Sequence, residues 1–76
     1  MPGNERCYRQ VGQRIRSARE KRALSQSELS KSVGWSRGHL AHVEAGKYRV
    51  QLHQLPKLAK ALKIKVKDLL PTGFLG

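Results

Sequence analysis

Apolar residues recur along this chain at helical spacing almost from end to end. Val11, Ile15 and Ala18 form one stripe within residues 8–22, with Arg and Gln between them, which predicts a first amphipathic helix. Residues 1–7 carry no such stripe and read as a flexible lead-in. Ser25, followed three residues later by Glu28, has the form of a capping box and opens a second helix over residues 25–33, buried through Leu29 and Val33. Gly34 suits the left-handed end of that helix. Ser36 caps a third helix over residues 36–45, with Trp35 and Leu40 placed as a hydrophobic staple and Leu40 and Val43 facing inward. Gly46 ends it, and residues 47–51 form a basic loop.

The stripe Leu52, Leu55, Leu58, Ala59 and Leu62 predicts a fourth helix, whose start Pro56 distorts or delays. Lys63 stands where a terminal glycine is expected. Ile64, Val66, Leu69 and Leu70 predict a short fifth helix that Pro71 stops, leaving residues 71–76 as a tail with Phe74 and Leu75. With no strand pattern and no repeat, the expectation is one all-α domain over residues 8–70.

Length and charge narrow the function. A chain of 76 residues builds one small core and lacks room for the deep cleft of most enzymes. Sixteen Lys and Arg against five Asp and Glu give a net charge of +11, which favours a polyanionic partner, nucleic acid above a membrane surface. The lone Cys7 cannot pair within the chain and fits a reducing compartment. No apolar run approaches the ~18 residues of a spanning helix, and the lead-in lacks a signal-peptide core. A cytoplasmic protein, held at the nucleoid by DNA, is expected.

The two capped helices around Gly34 have the dimensions of a helix-turn-helix, in which the second helix enters a major groove about 12 Å wide and the first bridges the backbone. Any helical αα-corner has the same outline, so the individual residues decide. Arg37, in the first turn of the third helix, suits a bidentate contact to guanine, or alternatively a phosphate. His42, five residues on, lies on roughly the same side. His39 and His42 lack a third partner for a metal. No nucleophile–base set and no phosphate-binding glycine loop is present, so neither enzyme activity nor a cofactor is expected.

Several separated strings agree in order and spacing: Ile15-Arg16-x-x-Arg19, Leu24-Ser25-Gln26-x-Glu28-Leu29, Val33-Gly34-Trp35-Ser36-Arg37, Val43-Glu44-x-Gly46 and Leu58-Ala59-x-Ala61-Leu62. Over residues 11–70 the chain resembles the phage-repressor or Cro-like family, also called XRE. The resemblance implies a compact five-helix, lambda-repressor-like domain that binds double-stranded DNA at a palindromic operator, commonly as a dimer. It implies base contacts from Arg37, Gly38, His39 and His42, of which Gly38 only permits close approach and departs from the usual polar residue. It further implies phosphate contacts from Gln26, Lys47 and Arg49 and a structural ion pair between Arg19 and Glu44; Ser36 and Tyr48 are expected phosphate contacts as well.

Arg14 is a further expected phosphate contact, whereas the Lys57, Lys60, Lys63, Lys65 and Lys67 series reads equally as a solvated face. Val66, Leu69, Leu70, Phe74 and Leu75 are the apolar residues left over for a homodimer interface, unless Leu69 and Leu70 close the core. The expected function is a transcriptional regulator, a repressor in the simplest case. The alternative is an antitoxin or adaptor module whose main ligand is a protein.

Overall fold

The structure is a computed structural model and describes the backbone of residues 2–70 and the side chains of residues 8–70. Within these residues there are four α-helices and no strand: α1 Pro2–Lys21, α2 Gln26–Val33, α3 Arg37–Glu44 and α4 Leu55–Leu62. Single turns of 3-10 helix, Leu52–Gln54 and Val66–Leu69, flank α4. The all-α expectation holds, but the fifth helix is only that last 3-10 turn.

The lead-in is corrected as well. The first helix begins at Pro2 rather than near Tyr8. Proline fits the opening helical position, where a backbone N–H has no partner to lose. Residues 2–7 extend α1 without joining its apolar stripe, so periodicity gives no sign of them.

The caps of α2 and α3 are those the sequence predicts. The Glu28 backbone N–H donates to Ser25 Oγ at 3.0 Å, and the Ser25 N–H donates to Glu28 Oε1 at 2.9 Å, which closes the capping box. Gly34 ends α2 in the left-handed region at φ 77°. The Trp35 N–H then donates to the Ser30 carbonyl at 2.8 Å, so α3 starts at a fixed angle to α2. Ser36 Oγ accepts the His39 N–H at 3.1 Å and caps α3.

Val11, Ile15, Leu29, Val33, Leu40, Val43, Leu55, Leu58, Leu62 and Leu69 meet in one core. Leu52, counted above in the fourth stripe, is 65% exposed. Pro56 lies in the first turn of α4 and the preceding turn is 3-10, so Leu52 falls out of phase with Leu55 and Leu58. Leu69 is fully buried and Leu70 nearly so, which removes both from the expected dimer patch. They seal the end of the core between α1 and α4, and Val66 packs partly buried beside them. Phe74 and Leu75, the rest of that patch, lie outside the described residues. Lys63 adopts the left-handed backbone (φ 56°) at the end of α4, in the place of the missing glycine.

Gly12 decides how closely α1 approaches α3. A Cβ at this position would lie 2.9 Å from the Glu44 carbonyl oxygen and nearer still to that of Val43. Only bare backbone lets the two helices meet there. Gly46 completes the joint, since it combines a φ of 78° with a Cβ position 2.8 Å from the Arg9 Cα.

Candidate nucleic-acid interface

The close approach at Gly12 brings Arg19 of α1 against Glu44 at the end of α3. Arg19 Nε donates to Glu44 Oε2 at 2.7 Å and Nη2 donates to Oε1 at 3.1 Å, a bidentate pair. Arg19 Nη1 also donates to the Leu24 carbonyl at 2.8 Å, which ties down the turn between α1 and α2. The hydrogen-bonded Glu44 carboxylate pushes the Arg19 pKa above its ordinary value, against the opposing effect of burial. Both side chains are largely withdrawn from solvent (11% and 4% exposed), and every buried polar side-chain atom among the described residues has a partner.

Gln26, the first residue of α2, joins this network. Its Nε2 donates to Glu44 Oε1 at 3.1 Å, so α1, α2 and α3 are fastened at one carboxylate. The expected phosphate contact at Gln26 is therefore a side chain held in place from behind. Gln26, Arg37, Ser25 and Ser27 line one shallow recess with Arg16 and Arg19.

Arg37 is exposed at the first position of α3, and Ser36 is exposed beside it. Gly38 follows on open surface, and a Cβ there would meet no atom within 4 Å. His42 is exposed and stacks at a tilt on Tyr48, 4.9 Å between ring centres. His39 is half-buried: it meets Trp35 edge-on at 4.6 Å and Tyr48 at 5.4 Å. The helix thus presents an exposed Arg37, an exposed His42 stacked on Tyr48, and a half-buried His39 between Trp35 and Tyr48. Lys47 and Arg49 are exposed in the following loop, where the Lys47 N–H donates to the His42 carbonyl at 2.9 Å. The Arg49 guanidinium lies over the Tyr8 ring, 5.4 Å from its centre, and links that loop to α1.

Arg14 does not join this surface. It lies on the other flank of α1, in a groove with Lys63 and Lys67. Arg16 takes its place beside Arg37, because a shift of two residues swings a side chain about 200° around a helix. Gly12 and Arg16 escape a reading of the sequence. A glycine set between the buried Val11 and Ile15 was the available sign of close helix packing; for Arg16 the sign appears only once the side on which α3 docks is known. Among the described residues no cluster of three or more His, Cys, Asp or Glu is placed to hold a metal, and no helix is long and apolar enough to cross a membrane.

Two short helices joined at Gly34, with α3 carrying the exposed polar residues, form a helix-turn-helix. The sequence model of the helix-turn-helix family HTH_3 matches residues 15–69. The chain belongs to this family. Its α2–α3 unit is that of DNA-binding transcriptional regulators. The chain is 41% identical over 56 residues to the immunity repressor protein of Bacillus phage phi105, a match covering 74% of this chain and 39% of that protein. It is 38% identical over 56 residues to an uncharacterized HTH-type transcriptional regulator of Archaeoglobus fulgidus, covering 74% and 80% of the two chains. Among solved structures it is similar to the restriction-modification controller protein C.AhdI from Aeromonas hydrophila, with 36% identity, a TM-score of 0.78 and coverage of 83% of this chain and 96% of that one. The matched segment thus spans well under half of the phage repressor and nearly all of the controller protein.

Proposed function

We propose that this protein is a sequence-specific transcriptional regulator, a repressor, that binds a palindromic operator as a homodimer with α3 in the major groove and catalyses no reaction. The observation that carries the reading is the pairing of an exposed Arg37 on the first turn of α3 with a network at Glu44 that fixes α3 against α1 and α2. A base-reading side chain gains specificity only if its helix is held rigidly relative to the phosphate contacts. In this reading Gln26, Ser36, Lys47, Tyr48 and Arg49 face phosphate; Gln26 shares a recess with Arg37 and Tyr48 stacks on His42, which supports it. With Leu69 and Leu70 in the core, Leu52 is, beside Tyr48, an exposed large hydrophobic side chain among the described residues and is offered to a second copy.

The test is selection on random duplex DNA, followed by gel shift of the selected site with Arg37→Ala. Arg37→Ala is expected to cost about 1–3 kcal/mol on that site and to relax the base preference at one position in each half. Equal, purely salt-sensitive binding to every sequence by both proteins would sink the reading. Sedimentation of the wild type and Leu52→Asp, free and on the selected DNA, reads the dimer separately.

A further inference from the structure

The flank of α1 turned away from α3 holds a second basic feature, apart from the recess beside Arg37. Arg14 and Lys21 on α1 face Lys63 and Lys67 across a groove that closes at the last 3-10 turn. Asp68 is the acid on the groove, and its Oδ2 accepts the Lys65 N–H at 3.1 Å, closing the turn. Ala18 and Ile64 give the groove half-buried apolar surface, backed by the buried Leu62 and Leu70, while Gln10, Gln13 and Ser17 line it from α1. Among the described residues, no carboxylate forms an ion pair with Arg14, Lys21, Lys63 or Lys67.

A second copy docked here through a two-fold axis would set the same cations against themselves, which is repulsive at contact distance. A DNA duplex would use the rims and leave the apolar surface unsatisfied, since phosphates make no use of it. A peptide that alternates acidic and apolar side chains uses both, with carboxylates on the rims and apolar side chains on that surface.

We propose that the groove between α1 and the final 3-10 turn is a docking site for an acidic, amphipathic segment of a partner protein. Because it opens on the flank of α1 opposite Arg16 and Arg37, the partner and DNA can be held at once. The site would let a DNA-bound regulator recruit another protein through the same domain that holds the DNA.

The experiment uses the full chain and a fluorescein-labelled amphipathic peptide of Glu with Leu and Phe, followed by anisotropy and by amide chemical shifts. Binding is expected to be about tenfold tighter than for a peptide of equal charge with Ser in place of Leu and Phe, and to weaken about tenfold in Lys21→Glu/Lys67→Glu. The charge-matched pair Arg16→Glu/Lys47→Glu should leave peptide binding much closer to the wild type, and thermal melts check that both pairs fold. Shifts should centre on residues 62–70 and on Ala18. Equal binding of the two peptides, equal loss in the two variant pairs, or shifts centred on α3 would each overturn the proposal. So would a greater loss of duplex binding in Lys21→Glu/Lys67→Glu than in the control pair, which makes nucleic acid the occupant. Tenfold tighter peptide binding in Phe74→Ala would likewise overturn it, by making the chain's own tail the occupant.

Discussion

Three hydrogen bonds converge on the two carboxylate oxygens of Glu44, from Arg19 Nε, Arg19 Nη2 and Gln26 Nε2. With so little of the carboxylate exposed, removing the guanidinium leaves a buried charge without its partner. Arg19→Ala is therefore expected to lower stability by about 3–5 kcal/mol in urea denaturation, and to lose DNA binding only as far as it unfolds. Glu28 works at the surface instead. Its hydrogen bonds with Ser25 hold its carboxyl below the ordinary glutamate pKa. A lowered folded pKa means that the contribution is complete above the unfolded value and fades as pH falls through the folded one. The Tm gap between wild type and Glu28→Ala should thus be constant near neutral pH and close in the acid range beneath the usual glutamate value. A gap that persists there would show that the cap acts without its charge.

At the scale of the element, α3 is short and carries a glycine in its first turn on open surface. Gly38→Ala is expected to raise stability by up to about 1 kcal/mol in thermal melts, since alanine gives up less backbone freedom on forming a helix. A loss of DNA binding alongside that gain would mark Gly38 as the place where DNA comes against bare backbone. The two helices of the motif were legible in the sequence because their boundaries are written in local chemistry: Ser25 with Glu28, Ser36, and the glycine between. Elements whose limits depend on distant packing were less so. The start of α1 carries no apolar period, and Pro56 puts Leu52 out of phase with Leu55 and Leu58. Leu69 and Leu70 show the same limit, because a pair of leucines near a chain end reads alike whether it turns inward or outward. Arg14 and Arg16 were separable only once the side of α1 that meets α3 was known.

Over the whole molecule, a net charge of +11 is spread over a body about 32 Å in its longest extent. That length is near one helical turn of DNA, ~34 Å, so one copy spans no more than a half-site. The cations do not form one continuous face: α1 separates those beside Arg37 from those beside Lys67. Net charge therefore overstates the number of phosphates one copy can neutralise. If a dimer engages about six to ten of them, the affinity for the selected site should fall with salt at a log–log slope of about −5 to −9. A slope much steeper than that would place the second flank on DNA too.

Gly12 couples α1 to α3 directly. Where α1 crosses the end of α3, no side chain stands between the two backbones to act as a cushion. Stiff contacts of this kind pass on restraint, because neither helix can shift without the other. DNA that clamps α3 should then quiet α1 along its length. The expected mark is slower amide hydrogen exchange in the middle of α1 when DNA is bound, including at residues whose side chains face the far groove and touch no nucleic acid. In Gly12→Ala, which forces the helices apart, that long-range protection should fade even where the variant still folds and binds.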